Sequence, residues 1–275
     1  MGAVPDDSAT IARRALGLLD LTELGDEATA DDVRRLCERA HGPHGDVAAV
    51  CVWPRFVPLA VAQLSSTGVR VATVTNFPSG AEPVDDVVAQ TSRALAEGAD
   101  EIDVVLPYAQ FKAGYERAAM SLIATVRSTV PRGDGHLLKV ILETGELADI
   151  TLIGIAARLV IEHGADFLKT STGKTPVSAT LPATAVMLHA IKDLDPHVGL
   201  KPSGGIRTVA DAAAYLDQAD DVMGDGWVSP RTFRFGASGL LNALNSAIDD
   251  KVDGVGEVGG AEQPHAREVD RREEY

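Results

Sequence analysis

A repeat of element type is what most constrains this chain. Short runs rich in apolar and β-branched residues alternate with helix-period stretches from about residue 47 onward. The strand candidates are residues 47–53, 69–75, 101–106, 137–142, 166–170, 198–202 and 232–236. Helices with readable ends lie between them. Pro83, Asp85 and Asp86 open one that stops at Gly98, with a proline start, an acidic first turn and a glycine stop. Residues 150–163 read as another, ended by Gly164. Thr208 with Asp211, and Thr29 with Asp32, read as capping boxes that use Asp in place of Glu. A strand followed by a helix, repeated, implies parallel strands joined by right-handed crossovers.

Seven strands are visible, and Leu19-Asp20-Leu21-Thr22 supplies an eighth after a first helix near residues 8–18. Eight such units in about 250 residues is the size of a (β/α)8 barrel. The competitor is an open doubly wound sheet, and no glycine-rich dinucleotide fingerprint follows residues 47–53. The expectation is an α/β chain forming a single (β/α)8 TIM barrel over residues 1–250, with an extra N-terminal helix. Residues 251–275, with Gly254, Gly256, Gly259, Gly260, Pro264 and many charges, read as a flexible polar tail.

Within that frame three of the seven lysines are misplaced. Lys139, Lys169 and Lys201 lie inside apolar strand-like runs, Leu138-Lys139-Val140, Leu168-Lys169-Thr170 and Leu200-Lys201-Pro202. A lysine is almost never fully buried without a partner, because taking the ammonium out of water is costly. Burial beside another cation lowers a lysine's pKa and makes a neutral nucleophilic amine available. Schiff-base chemistry on a carbonyl substrate is the first reading. Asp103 shares one face of its strand with Glu101, while Ile102 and Val104 share the other. An inward Asp103 would meet the lysines, as a proton-transfer group or simply as their neutralising partner.

Barrel enzymes place catalysis at the C-terminal ends of strands and often bind phosphate with the loops after strands seven and eight. Lys201-Pro202-Ser203-Gly204-Gly205-Ile206-Arg207-Thr208 and Phe235-Gly236-Ala237-Ser238-Gly239 occupy those places. In each, glycines before a helix leave backbone N–H groups open to an anion. Thr170-Ser171-Thr172-Gly173-Lys174 adds hydroxyl, backbone and ammonium donors after Lys169, and lacks Walker A spacing. No His-x-x-x-His or Cys-x-x-Cys pair is present, so no metal is indicated.

A net charge of −15 argues against nucleic acid or an anionic membrane as partner, since both reward clustered Lys and Arg. It leaves room for a phosphorylated small molecule. Two cysteines, Cys37 and Cys51, make no disulfide framework, no apolar run is long enough for a membrane span, and the first residues lack a signal-peptide plan. A cytoplasmic location is expected.

These segments together resemble the deoxyribose-phosphate aldolases, class I aldolases that form a lysine Schiff base. The likeness runs from Leu19-Asp20-Leu21-Thr22 to Tyr275 through Cys51-Val52-Trp53-Pro54-Arg55-Phe56, Ala72-Thr73-Val74-Thr75-Asn76-Phe77-Pro78, Glu101-Ile102-Asp103-Val104-Val105 and Leu138-Lys139-Val140-Ile141-Leu142-Glu143-Thr144-Gly145-Glu146-Leu147. It continues through Phe167–Lys174, the Lys201 loop and Arg234-Phe235-Gly236-Ala237-Ser238. The resemblance implies reversible cleavage of 2-deoxy-D-ribose 5-phosphate to D-glyceraldehyde 3-phosphate and acetaldehyde, in deoxyribonucleotide breakdown. It makes Lys169 the Schiff-base lysine, Lys201 the cation that lowers its pKa, Asp103 a proton relay and Lys139 a support. Asp20, Thr22 and Cys51 would line the pocket, with Thr172, Gly173, Lys174, Gly204, Gly205, Arg207, Gly236 and Ser238 around the substrate and its phosphate.

The resemblance also implies that Tyr275 enters the site and assists proton transfer. Gly239 departs from the family pattern, standing where a second serine often follows Ser238. No metal or organic cofactor is implied. Phosphorylated sugar and aldehyde substrates are the expected partners, and the sequence does not choose between a homodimer and a homotetramer. The alternatives are another Schiff-base aldolase or transaldolase-like lyase with a different donor, and a phosphometabolite-binding barrel without turnover.

Overall fold

Eight strands fall where the β/α alternation puts them, within one to three residues at each end: β1 (Leu19–Glu23), β2 (Ala49–Val52), β3 (Arg70–Thr75), β4 (Glu101–Val105), β5 (Leu137–Ile141), β6 (Phe167–Lys169), β7 (Gly199–Lys201) and β8 (Phe235–Ala237). The computed structural model describes residues 7–133 and 135–256, the last five as backbone alone. The expected tail from residue 251 thus lies mostly outside the described residues, and so does Tyr275. The last helix continues to Gly256, past the expected boundary at residue 250.

The strands pair in parallel in the order β8-β1-β2-β3-β4-β5-β6-β7, and isolated bridges from Leu200 to Phe233 and from Ser203 to Gly236 close the ring. A helix follows each strand on the outside: α2 (Ala30–Ala40), α3 (Val57–Leu64), α4 (Val84–Ala96), α6 (Glu116–Thr129), α8 (Ile150–Glu162), α9 (Leu181–Leu194), α10 (Val209–Met223) and α11 (Leu240–Gly256). Short α5 (Tyr108–Lys112) and α7 (Thr144–Leu147) sit in the loops after β4 and β5. The extra helix α1 (Ser8–Leu16) packs against α11 and α10. Both capping boxes form, at Thr29 with Asp32 and at Thr208 with Asp211.

Two local features depart from expectation. A small hairpin pairs His41–Gly42 with Gly45–Asp46; two-residue strands carry no period to read. The last strand starts later than residue 232, because Thr232 is held in a turn, its N–H donating to Ser229 O at 2.9 Å and its Oγ1 accepting from Ser229 N at 3.1 Å.

Each strand separates two chemistries by its two-residue period. Leu21, Val50, Ile102, Val104, Leu138, Val140, Leu168 and Leu200 join one large core with the helices. Inward-facing Cys51, Ala72, Val74, Val105 and Ile141 form a separate small apolar cluster with Leu24 and Phe77. Beside it the barrel axis is filled by buried Asp20, Glu101, Asp103, Lys139, Lys169 and Lys201. Most barrels fill this space with branched apolar side chains.

The seam between β7 and β8 depends on one glycine. A Cβ on Gly236 would stand 2.1 Å from Ser203 Oγ and 3.1 Å from Lys201 Cε. Gly236→Ala is therefore expected to cost about 1–3 kcal/mol by overpacking. A denaturation midpoint equal to wild type would show that the seam can open without strain.

Candidate active site

Lys169 ends β6, and its side chain is the highest of the buried ammonium groups, 2 % exposed where Lys139 and Lys201 are fully covered. All three converge on Asp103. Lys169 Nζ and Lys201 Nζ each donate to Asp103 Oδ2 at 2.8 Å, and Lys139 Nζ donates to Oδ1 at 2.7 Å. Below them Lys139 pairs with Glu101 Oε2 at 2.5 Å and Lys201 with Asp20 Oδ2 at 2.5 Å. Arg234 bridges the two lower carboxylates, 2.6 Å to Asp20 Oδ1 and 3.0 Å to Glu101 Oε1. Arg70, at the solvent-facing end, closes on Glu101 Oε1 at 2.6 Å.

The three amines are not held alike, and Arg70 reaches the network only from its solvent-facing end. Three buried carboxylates, Asp20, Glu101 and Asp103, meet three deeply held cations, Lys139, Lys201 and Arg234. Lys169 is the surplus amine. Burial lowers its pKa; Asp103 pulls the other way, and the Lys201 ammonium adds to the lowering. Burial also works against the charges of Lys201 and Lys139, but there the carboxylates win. Asp103 and Asp20 hold Lys201 above the ordinary lysine range, and Asp103 and Glu101 do the same for Lys139. Asp103 itself, despite burial, is held well below the carboxylate range by Lys139, Lys169 and Lys201. The arrangement sets one amine of lowered pKa above an ionised carboxylate that two firmly held ammonium groups share.

Above Lys169 opens a cavity of about 850 Å³ formed by the loops after β1, β6, β7 and β8. Of the residues expected there, Thr22, Thr172, Gly173, Lys174, Gly204, Gly205, Arg207, Gly236 and Ser238 line it. Asp20 and Cys51 do not. Both face the axis but are fully buried, Asp20 in the ion network and Cys51 in the small apolar cluster. Thr22 stands two residues beyond Asp20 on the same face, and its Oγ1 donates to Asp20 O at 2.9 Å.

One side of the cavity is rich in glycine and backbone donors. Gly204 and Gly205 both adopt φ +82°, which a side chain would strain. The N–H groups of Gly205, Ile206, Ser238 and Gly239 take no hydrogen bond within the described residues. Arg207 lines the same side, and its charge is felt by Asp211. Lys174 Nζ holds the exposed Asp26 at 2.6 Å. Gly239 does line the cavity, with its backbone alone. Of the small apolar cluster only Leu24 lines the cavity; Trp53, packed on that cluster, stands edge-on to Phe77 with centroids 5.4 Å apart.

Three buried residues of this region carry no role in the sequence reading. Glu101 shares the face of Asp103, and its partner Arg234 is 133 residues away. The third, Glu143, takes a left-handed backbone after β5, for which its local sequence gives no signal.

Comparison with known proteins agrees with this arrangement. Residues 14–246 match the family model described as DeoC/LacD family aldolase. A deoxyribose-phosphate aldolase of Agrobacterium fabrum is 52% identical over 238 residues, covering 86% of this chain and 91% of that protein. Among solved structures, a protein of Toxoplasma gondii assigned as a deoxyribose-phosphate aldolase superposes with a TM-score of 0.80 at 26% identity, covering 88% of this chain and 95% of its own. The deoxyribose phosphate aldolase of Aeropyrum pernix, described as a unique tetramer, shares the fold at 24% identity and a TM-score of 0.68, over 89% of this chain and 98% of its own. A surplus buried amine at the mouth of a barrel is the outfit of a lysine-dependent aldolase, and by descent as well as by chemistry the chain belongs to the DeoC/LacD family of aldolases.

Proposed function

We infer that this protein cleaves 2-deoxy-D-ribose 5-phosphate reversibly to D-glyceraldehyde 3-phosphate and acetaldehyde, with Lys169 as the Schiff-base lysine. One observation carries the reading: Lys169 is the single surplus amine of the buried ion network, and it stands beneath loops that offer free N–H groups to a phosphate.

In the cleavage direction neutral Lys169 adds to the C1 aldehyde, forming a carbinolamine that loses water to a protonated imine. The imine is the electron sink. A base removes the C3 hydroxyl proton, the C2–C3 bond breaks, its electrons pass to the imine, and the C3 carbonyl leaves as glyceraldehyde 3-phosphate. The resulting enamine takes a proton at C2, and water releases acetaldehyde and regenerates Lys169. Asp103 and the cationic Lys201 hold and pass the protons, Lys139 keeps Asp103 ionised, and Lys201 keeps Lys169 neutral. The phosphate lies on the side of Gly173, Lys174, Gly204, Gly205, Arg207, Gly236 and Ser238.

Tyr275 is assigned delivery of the proton to the enamine carbon. The nineteen residues after Gly256 span at most about 65 Å when extended, against about 25 Å for the length of α11. Reach to the barrel mouth is therefore available. Deleting Tyr275 should slow hydrogen exchange at C2 of acetaldehyde far more than it weakens substrate binding, and unchanged exchange would remove Tyr275 from the mechanism.

No helix among the described residues is long and apolar enough to cross a membrane. Free, buried Cys37 and Cys51 suit a reducing cytoplasm. Assembly as a homodimer or homotetramer fits exposed apolar side chains such as Tyr115, 66% exposed, and Val177, 51% exposed; sedimentation equilibrium measures it directly.

The test of function is reductive trapping. Borohydride with acetaldehyde should leave a two-carbon adduct on the peptide carrying Lys169, and dihydroxyacetone phosphate should leave none. An adduct on Lys201, or trapping only with dihydroxyacetone phosphate, would overturn the assignment.

A further inference from the structure

Glu143 lies one residue beyond the Leu142 that follows β5, in a backbone that a non-glycine residue avoids, φ 53° and ψ 62°. Such a conformation is strained and persists only where surrounding contacts enforce it. Here they are visible. The residue is fully buried, and among the described residues no cation pairs with its carboxylate. It is satisfied by donors from one loop instead. Thr172 N–H and Oγ1 donate to Oε2, at 3.2 and 2.5 Å, and Thr175 Oγ1 stands 3.2 Å from Oε1. Thr172 Oγ1 in turn accepts from Lys174 N–H at 3.0 Å.

Neighbouring backbone locks the same two loops. Thr144 N–H donates to Thr170 O at 2.9 Å, and a Cβ on Gly145 would meet Val177 O at 2.2 Å. Glu143 thus holds residues 172–175 from behind, while Thr172, Gly173 and Lys174 present their other side to the cavity. Burial pushes the Glu143 carboxyl pKa up, and the two Thr172 donors work against that rise.

We propose that Glu143 is a positioning residue for the phosphate end of the substrate, fixing Thr172 and Lys174 through its carboxylate without touching the substrate itself. This rests on the aldolase reading above. The strained backbone is part of the device, because it turns the side chain across to the neighbouring loop instead of letting it run on with the strand.

The readout is the preference for a phosphorylated substrate: kcat/KM for 2-deoxyribose 5-phosphate divided by kcat/KM for 2-deoxyribose. In Glu143→Ala the ratio should fall at least tenfold, mainly through KM for the phosphorylated sugar. Glu143→Gln keeps the shape and one acceptor, should fold where the alanine variant does not, and should lie between the two. A ratio equal to wild type in Glu143→Gln and Glu143→Ala, or in Glu143→Gln alone if the other is unfolded, would overturn the proposal. So would a fall in kcat alone for both substrates, which would place Glu143 in the chemistry. Failure of the underlying reading looks different: wild type itself would show no preference for the phosphorylated sugar.

Discussion

Replacing Lys169 with Met should lower kcat/KM by at least about 10⁴-fold, as loss of a covalent nucleophile does, yet leave the protein at least as stable as wild type. The charge count separates the two effects. Without Lys169, Asp103 keeps Lys139 at 2.7 Å and Lys201 at 2.8 Å, and three buried anions still face three buried cations. The pH dependence runs the same way. The folded pKa of Lys169 is lowered, chiefly by burial. The unfolded chain therefore binds that proton more tightly, and stability rises with pH between the folded and unfolded values. At neutral pH wild type carries this cost and Lys169→Met does not.

Lys201→Met should behave oppositely. It strips Asp20 Oδ2 of its nearer partner and leaves Lys169 as the second cation on Asp103. Lys169 is then held protonated, kcat/KM falls by about 10²–10⁴-fold, and the rising limb of the pH–rate profile moves to higher pH. Stability falls as well, since buried Asp20 keeps only Arg234 at 2.6 Å and Lys139 at 3.8 Å. Equal stability losses in the two variants, or a pH–rate profile that does not move, would show that Lys169 belongs to the fixed charges.

What the sequence discloses follows the length scale of each cause. Strand and helix order is legible because Pro83, the two capping boxes and the glycine stops act within a few residues. The facing of Asp103 is legible because a strand's period is two. Height along the axis is not, since it depends on the stagger between strands. That is why Asp20 and Cys51 read as pocket residues and lie beneath the floor. Arg234 and Glu101 escape for a related reason: each is an ordinary charged residue at a strand end until closure of the ring joins them. Glu143 escapes because nothing in Leu142-Glu143-Thr144 announces a positive φ.

Arg234 is where closure of that ring should be felt most. It is 3% exposed and binds carboxylates from β1 and β4 at once, while its own Nε donates to Pro230 O at 2.5 Å. Arg234→Met leaves Asp20 and Glu101 with one cation fewer, and breaking a buried network from one side costs about 3–5 kcal/mol. In wild type, burial opposes the ionisation of both carboxylates. Lys201 and Arg234 nevertheless hold Asp20 below the ordinary range, and Lys139 and Arg234 do so for Glu101. Their contribution to stability is thus complete above the unfolded carboxylate pKa of about 4 and is lost as pH falls through the lower folded values. Without Arg234, burial raises those folded values, so the variant takes up a proton that wild type does not. Its deficit should therefore be widest near pH 7 and narrow toward pH 5, as chemical denaturation across that range would show. Removing both sides should be gentler than the singles suggest. Glu101→Gln with Arg234→Met is expected to cost less than the sum by about 0.5–3 kcal/mol. A sum that adds as two independent sites would mean that Arg234 and Glu101 do not share one network, and with it the charge balance proposed to lower the Lys169 pKa would fail.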